Sequence, residues 1–317
     1  MVPYPKIEPL ESGLLETSDG NRLYWEVCGN PSGKPAVVLH GGPGSGCTPG
    51  WRRYFDPAAY RIVLFDQRGC GRSTPHASDP AVGLEAQTTA HQIADIELLR
   101  AEFGVDRWLV LGGSWGTTLG LAYAEQHPEN VSEMVLFSVG ISTRREVEWL
   151  TRDVGRLVPE EWARFRDGVP EADRDGSLVD AYARLLADPD PAVREKAAAD
   201  WCEWEDVHIA IGSRPVRSPR YEDPAFRMCF ARLVTHYVCH DAWLEEDELL
   251  RGIGALDGIP AVLVQGRFDF QAPLGSAWAV HRAWPSSELV LVDDAGHDAG
   301  APRIEQEIVR ATDRFAS

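Results

Sequence analysis

Residues 108–127, WLVLGGSWGTTLGLAYAEQH, form the stretch that decides the fold. The apolar run Trp108–Leu111 predicts a buried strand, and Thr117–His127 repeats apolar residues at helical spacing. Between them, the G-x-S-x-G pattern of residues 112–116 places Ser114 on a tight turn from strand to helix. Such a nucleophile elbow needs small residues because the turn brings backbone and helix into contact. We therefore predict that Ser114 is a nucleophile, the alternative being an idle serine on a glycine-rich turn.

The alternation of buried strands and helices continues on both sides of this stretch. Leu23–Cys28 alternates weakly and predicts a strand. Runs rich in Val, Ile and Leu predict further strands at Ala36–Leu39, Ile62–Phe65, Met134–Phe137, Ala261–Gln265 and Glu288–Val292. Helical spacing of apolar residues predicts helices at Thr88–Phe103 and Ile304–Phe315. This order predicts an α/β fold with a mostly parallel, doubly wound sheet.

From about residue 141 to residue 251 the strand signal disappears. Helical stretches are predicted there at Arg145–Phe165, Leu178–Leu186, Ala192–His208 and Pro224–Leu250, with breaks at prolines that include Pro159 inside the first stretch. The simplest account is one catalytic core, residues 1–140 and 252–317, interrupted by an all-helical cap, residues 141–251. We expect the cap to select the substrate.

Composition and charge exclude several classes of protein. A chain of 317 residues with 44% apolar residues can bury a large core, and its net charge of −18 argues against nucleic acid as a partner. No run approaches the roughly 20 apolar residues of a membrane helix, and the start lacks the features of a signal peptide. The six cysteines form no CxxC pair, which favours reduced thiols. We expect a cytoplasmic enzyme that uses no metal or other cofactor and binds no membrane.

Two downstream motifs supply the acid and the base that an elbow serine needs. Asp269, in GRFD, follows the predicted strand Ala261–Gln265, and His297, in AGH, follows the next strand. The carboxyl ends of parallel strands meet at one edge of a sheet, so these side chains should converge with Ser114. The order Ser–Asp–His is also the order expected for this arrangement. Three other aspartates are candidates for the acid, but they lie too close to His297 in sequence to approach its ring easily from behind. They are Asp293, Asp294 and Asp298.

Two loops after buried strands complete the predicted site. HGGPGSG, residues 40–46, can turn backbone N–H groups toward the serine and form half of an oxyanion hole, with the N–H of Trp115 as the other half. A phosphate-binding loop does not fit, because no Gly-Lys-Ser/Thr follows. FDQRGCGRS, residues 65–73, contains Asp66, which precedes the serine. We interpret this second loop as structural support beneath the site.

Together these motifs resemble the prolyl aminopeptidase (proline iminopeptidase) family of α/β-hydrolases. HGGPGSG, FDQRGCGRS, GGSWGTTLGLAYAEQHP, GRFD and AGH occur in that family's order and spacing, and the similarity extends from about Gly20 to the C-terminus. The resemblance implies the α/β-hydrolase fold. It also implies a nucleophile, an orienting acid and a general base that then acts as acid: Ser114, Asp269 and His297.

The resemblance further implies groups that hold the substrate. The family releases an N-terminal proline and binds its free amine with acidic side chains, one of them in a W-x-x-W-E segment, here residues 201–205. Glu205 is thus the implied amine contact. The oxyanion donors would be Gly42 and Trp115, with the choice between Gly41 and Gly42 open. The implied substrate-binding residues are Glu205, Trp204 and Gly41.

Four positions depart from the family's pattern. Val234 stands where the second glutamate is expected, and aromatic residues of the family are replaced by Gly140, Leu150 and Val238. The proline pocket would therefore have lost aromatic walls and one anionic contact. Loss of a charged hydrogen-bond partner for an ammonium costs about 1.5–3 kcal/mol of binding free energy, which weakens binding ten- to hundredfold.

The prediction is a serine hydrolase that acts on a small peptide, or a small amide or ester, through an acyl-enzyme. The favoured function is a prolyl aminopeptidase that releases an N-terminal proline or another small residue. The alternative is an esterase or amidase with an altered acyl pocket that does not require a free amine. A non-catalytic binding protein could reuse the fold, but the full Ser–Asp–His set argues against it. The sequence predicts no oligomeric state.

Overall fold

The computed structural model describes residues 3–211 and 217–316. In these residues eight strands form one sheet. The strands are β1 Glu11–Glu16, β2 Arg22–Gly29, β3 Lys34–Leu39, β4 Tyr60–Phe65, β5 Trp108–Gly113, β6 Val131–Phe137, β7 Ala261–Gly266 and β8 Ser287–Val292. Their order is β1-β2-β4-β3-β5-β6-β7-β8. β2 runs antiparallel to both β1 and β4, and the remaining neighbours are parallel.

Helices precede, follow and interrupt these strands. The α-helices are α1 Thr89–Glu102, α2 Trp115–Gln126, α3 Arg144–Thr151, α4 Pro159–Asp167, α5 Leu178–Leu186, α6 Pro191–Ile209, α7 Pro224–Cys239, α8 Glu248–Gly252, α9 Leu274–Ala283 and α10 Pro302–Arg314. Short 3₁₀ segments include Pro49–Tyr54, Asp153–Arg156, Pro219–Glu222, Asp241–Trp243 and Ile253–Leu256. Within residues 3–211 and 217–316, no helix combines the length and the apolar character needed to cross a bilayer.

Helices cover both faces of the sheet, which confirms the predicted doubly wound fold. Successive side chains of a strand point to opposite faces. In β3, Val37 and Leu39 join a buried cluster with α1, α2 and α9, whereas Ala36 and Val38 join a second cluster with α10. The predicted buried strands all lie within observed ones. β1 was not predicted, because this edge strand is mostly exposed and lacks a buried apolar run.

The helices α3–α8 all lie between β6 and β7. α4–α7 share a buried cluster of their own, and α3 packs against it, whereas Leu249 of α8 joins the cluster of the sheet. In the cluster of α4–α7 the ring of Phe165 stacks between Tyr182, at 4.7 Å, and Trp204, at 5.0 Å. Aromatic packing of this kind buries large apolar areas away from the sheet. The division into a core and a cap at residues 140/141 and 251/252 stays a prediction.

One predicted helical stretch is divided at its predicted break, and another is wrong in extent. Arg145–Phe165 is divided, because α3 ends at Thr151 and α4 begins at Pro159. Proline lacks an N–H and fits the first turn of a new helix better than the interior of a long one. Pro224–Leu250 is also divided, because α7 ends at Cys239 and the next residues, Asp241–Trp243, have φ values of 50°, 51° and 54°. Side-chain-bearing residues in that region cannot continue a right-handed helix.

Candidate active site

The turn between β5 and α2 holds Ser114 in a strained backbone conformation, with φ 54° and ψ −123°. The residues around it must be small because the turn packs against two strands. A Cβ on Gly116 would collide with the backbone oxygen of Leu39, and a Cβ on Gly113 would collide with the ring of Phe137. The glycines of the G-x-S-x-G pattern therefore allow the close packing that exposes the serine hydroxyl at the end of the sheet.

The structure brings Ser114, Asp269 and His297 together at the carboxyl ends of β5, β7 and β8. The Nε2 atom of His297 lies 3.2 Å from Ser114 Oγ, and its Nδ1 atom lies 2.9 Å from Asp269 Oδ1. Because a carboxylate only accepts hydrogen bonds, Nδ1 carries the proton toward Asp269 and Nε2 is left to accept from the serine hydroxyl. The arrangement can remove a proton from Ser114 and return it to a leaving group.

Nearby charges and burial shift the pKa of His297 in opposite directions. Burial by itself lowers the pKa of this imidazole, since desolvation disfavours the charged form. The carboxylate of Asp269, through its charge and its hydrogen bond, and then the charge of Glu205 outweigh burial, so the pKa of His297 is raised above its ordinary value. An imidazolium formed by transfer of the serine proton to His297 would therefore be stabilised in place.

Asp269 is held by donors that sequence reasoning missed. Its Oδ1 atom accepts backbone N–H groups of Gln271, at 3.1 Å, and Ala272, at 2.7 Å. The side-chain Nε2 of Gln265 donates to Oδ2 at 3.2 Å, while Oε1 of Gln265 accepts the N–H of Val139 at 2.8 Å. Gln265 is fully buried. The signal that could have found it was a lone glutamine at the end of the apolar strand AVLVQ.

The competing acids have other partners. Asp293 pairs with Arg267, with 2.6 Å between Oδ1 and Nε. Asp294 pairs with Arg303 at 2.9 Å, and Asp298 accepts the backbone N–H two residues further on at 2.8 Å. None of these hydrogen bonds goes to the imidazole, whose Nδ1 faces Asp269.

The loop of residues 40–46 and the start of α2 provide backbone N–H groups near the serine. A Cβ on Gly41 would be 3.2 Å from the Ser114 Cβ, so the loop of residues 40–46 passes directly against the nucleophile. Gly42, with φ +118°, adopts a conformation that side-chain-bearing residues rarely take. Trp115 is the first residue of α2, so its N–H has no acceptor within the helix. These groups can act as donors to a negatively charged oxygen that forms on a substrate carbonyl.

The second loop supports the first. The backbone N–H of Gln67 donates to His40 Nε2 at 3.0 Å, its side-chain Nε2 donates to the His40 carbonyl at 2.9 Å, and its Oε1 accepts from Trp115 Nε1 at 3.1 Å. Burial lowers the pKa of His40, which is consistent with a neutral ring that accepts at Nε2. Asp66 is bound by Arg72, whose Nε lies 2.7 Å from Oδ2. Its carboxylate thus ties the loop together.

Two cavities meet at Ser114. The histidine cavity, of about 270 Å³, is bordered by His297 and Arg220. The valine cavity, of about 120 Å³, has mainly apolar walls, among them Trp115, Val147, Leu150, Val234, Tyr237 and Val238. Four residues border both: Gly42, Ser114, Glu205 and Gln271. A substrate bound across the serine would place one part in each cavity.

Glu205 is the carboxylate at this junction, and its side chain is almost fully buried. Oε1 accepts from Trp201 Nε1 at 3.2 Å, and Oε2 accepts from Gln271 Nε2 at 2.8 Å. Burial raises the pKa of Glu205 to about 7, and the nearby charges of His297 and Arg220 limit the rise. His208 lies 3.6 Å away, but burial lowers its pKa to about 3, so it adds no positive charge.

Trp204 lies behind the cavities rather than in them. Its Nε1 donates to the carbonyl of Leu150 at 3.0 Å and its ring stacks on Phe165. In the described residues it borders neither cavity at Ser114, so the structure does not bring this predicted substrate contact to the serine. By contrast, all four positions that depart from the family's pattern border the valine cavity: Gly140, Leu150, Val234 and Val238.

Comparisons with known proteins agree with this geometry. A family model described as the alpha/beta hydrolase fold matches residues 34–301. The chain is 54% identical over 317 residues to a probable proline iminopeptidase of Streptomyces coelicolor, covering 99% of this chain and 97% of that protein. It is 44% identical to a proline iminopeptidase of Xylella fastidiosa, covering 98% of each.

Among solved structures, that of a proline iminopeptidase from Mycobacterium smegmatis superposes with a TM-score of 0.64 at 19% identity, covering 96% of this chain and 99% of that chain. At that identity the superposition shows a common fold, the α/β-hydrolase fold. The two relatives in sequence are similar over nearly their full lengths. The chain belongs to the proline iminopeptidase family of α/β-hydrolases.

Proposed function

We propose that this chain is a prolyl aminopeptidase that works through an acyl-enzyme. Ser114 attacks the carbonyl of an N-terminal proline while His297 takes the hydroxyl proton and Asp269 holds the imidazole. The backbone N–H of Trp115, together with that of Gly41 or Gly42, binds the oxygen that becomes negative. His297 then protonates the departing amine, and water releases proline by the same steps in reverse.

One observation carries the aminopeptidase assignment: the carboxylate of Glu205 borders both cavities next to Ser114. A buried carboxylate there can pair with the free amine of a residue whose carbonyl lies at the serine. Among the described residues, its side-chain donors at hydrogen-bond distance, Trp201 and Gln271, are both neutral. The substrate ammonium would supply a cation. The names of the two relatives, both proline iminopeptidases, support the same reaction.

The helices between β6 and β7 support the proposed role of a substrate-selecting cap. Glu205 lies on α6, and most apolar walls of the valine cavity lie on α3 and α7. The triad residues lie at strand ends of the sheet instead. We therefore propose that residues 141–251 choose the acyl group while the core carries out the chemistry. The cytoplasmic location stays a prediction.

A second function, esterase or amidase, is favoured by one specific feature. The valine cavity presents Val234 at the position where the family's second acid is expected, so that position supplies no carboxylate to the amine. An uncharged acyl group would fit these apolar walls without the cost of burying an ammonium.

The experiment compares kcat/KM for prolyl-p-nitroanilide and for its N-acetyl form, with Ser114→Ala as the blank. The aminopeptidase predicts a preference of about ten- to hundredfold for the free amine, the value of a charged hydrogen bond. Equal kcat/KM values for the two substrates, or cleavage of simple esters alone, would contradict the aminopeptidase function and support the esterase or amidase function. Loss of all activity in Ser114→Ala is expected in either case.

A further inference from the structure

Arg220 is the cationic side chain that borders the histidine cavity and has no part in the proposed chemistry. Its hydrogen bonds in the described residues are two long ones, from Nη1 to Ser45 Oγ and from Nη2 to the Tyr221 hydroxyl, both 3.4 Å. No carboxylate of those residues lies within 4.0 Å of its guanidinium. The chain has a net charge of −18, yet this guanidinium in the cavity at Ser114 has no acidic partner among the described residues. It is therefore available to bind an anionic group of a ligand.

Aromatic rings hold this guanidinium in place. Its carbon lies 5.2 Å from the ring centres of Tyr221 and Phe226, and 5.6 Å from that of Phe230. Contacts of this kind engage the flat face of the group and leave its N–H edges for planar anions. Phe230 also borders the histidine cavity. Arg220 is therefore oriented at the cavity wall before any ligand binds.

The chemistry of the triad determines which part of a substrate meets Arg220. His297 must deliver a proton to the leaving nitrogen, so the leaving group lies on the imidazole side of Ser114. His297 borders the histidine cavity and not the valine cavity in the described residues. The acyl residue then occupies the valine cavity, and the departing amine occupies the cavity that contains Arg220.

We infer that Arg220 binds the free α-carboxylate of the departing amino acid, which makes dipeptides the preferred substrates. This inference rests on the proposed function. A dipeptide carries an ammonium at one end and a carboxylate at the other. The site offers Glu205, which borders both cavities, and Arg220, which borders the histidine cavity. Arginine and a carboxylate form paired, charge-assisted hydrogen bonds that a C-terminal amide or an anilide cannot form.

The test measures kcat/KM for Pro-Ala, for Pro-Ala-amide and for prolyl-p-nitroanilide in the full chain. The readout is the ratio of the free acid to the amide in the wild type, Arg220→Gln and Arg220→Lys. Arg217→Gln is the matched control, because this exposed arginine lies just upstream and borders neither cavity. Arg220 also acts on the pKa of Glu205, but this affects amine binding in both substrates alike and cancels in the ratio.

The wild type should prefer the acid, and Arg220→Gln should lower the ratio by about tenfold, the value of one charged hydrogen bond at a solvent-accessible site. Arg220→Lys should retain part of the preference, and Arg217→Gln should retain all of it. A ratio that is the same in Arg220→Gln and the wild type, or a wild type that does not prefer the acid, overturns the inference and leaves the prolyl aminopeptidase standing. If no prolyl substrate is cleaved while esters are, the proposed function itself fails and this inference falls with it.

Discussion

Gln271 donates a hydrogen bond from its side-chain Nε2 to Oε2 of Glu205 at 2.8 Å. The backbone N–H of the same residue donates to Oδ1 of Asp269 at 3.1 Å. One residue thus connects the acid that holds the imidazole with the acid proposed to hold the substrate amine. Because the two contacts come from backbone and side chain separately, the spacing between catalysis and amine binding is built into a single short turn after β7.

Glu205→Gln removes the charge and keeps the shape. We expect the ratio of kcat/KM for prolyl-p-nitroanilide to that for its N-acetyl form to fall by about ten- to hundredfold, because a charged hydrogen bond to the ammonium is lost. The control is Glu203→Gln, an exposed acid on the same helix that borders neither cavity. A ratio that is unchanged in Glu205→Gln would show that this carboxylate does not hold the amine.

The same variant should change the pH profile. The proposed reaction needs Glu205 ionised and His297 neutral, so kcat/KM should fall as the pH drops through about 7, the raised pKa of Glu205. The negative charge of Glu205 is one of the causes that raise the pKa of His297. Its removal should therefore lower the pKa of His297 and move the acid limb of the profile to lower pH. Identical acid midpoints in the wild type and in Glu205→Gln would contradict this coupling.

Gln265→Leu should affect both stability and turnover. The change leaves the N–H of Val139 without its acceptor and Asp269 without one donor, both in buried surroundings. We expect the free energy of unfolding to fall by about 1–3 kcal/mol in chemical denaturation. Because Gln265 borders neither cavity among the described residues and contacts the triad through Asp269, kcat should fall while KM stays close to the wild-type value. Gln126→Leu, at an exposed position at the end of α2, is the control for the loss of a glutamine. If Gln265→Leu changed KM as much as kcat, this would argue against a positioning role for Gln265.

Gly116→Ala should separate the elbow from β3. The added Cβ would meet the backbone oxygen of Leu39, which cannot move without disturbing the sheet. Thermal unfolding followed by circular dichroism should show a large drop in Tm together with loss of activity. Gly275→Ala in α9 is the matched control, since its Cβ would meet nothing within 4 Å. In Gly275→Ala the free energy of unfolding should rise by about 0.5–1 kcal/mol. If the Tm of Gly116→Ala were as high as that of Gly275→Ala, this would contradict the tight packing of the elbow.

Val234→Glu should place an acid at the position where the family's second glutamate is expected. We expect the preference for the free amine over the N-acetyl substrate to rise by about tenfold, because an added carboxylate strengthens the binding of an ammonium. Stability should fall, because Val234 is only 6% exposed and a carboxylate there loses hydration. Val234→Gln, which has the same shape without the charge, should not raise the preference. If both variants raise it equally, charge is not the cause.

Much of the core could be predicted because its signals are local. The run WLVL, the glycines around Ser114 and the helix that follows each have a pattern within a few residues. The boundaries of the helices between β6 and β7 were harder. α7 ends where Asp241–Trp243 adopt positive φ, and none of these three residues is a glycine or asparagine that would have indicated it.

The site was only partly predictable for a different reason. Ser114, Asp269 and His297 follow strands, so their meeting place follows from the topology of a parallel sheet. Gln265, Gln271 and Arg220 reach the site from positions that no motif marks, and their roles depend on contacts between segments distant in sequence. The position of Trp204 depends on packing within the helices, where it faces Phe165 and Leu150 instead of the serine.

The division of the space around Ser114 into two cavities has a consequence for the second half of the reaction. In the proposed reaction, the acyl group remains in the valine cavity once the first product leaves the histidine cavity. The next nucleophile would then approach through the space just vacated, where His297 can deprotonate it. Water and a free amino acid compete for that one place. At high concentrations of an amino acid or its amide, acyl transfer should compete with hydrolysis, and the same site should synthesise peptide bonds as well as break them.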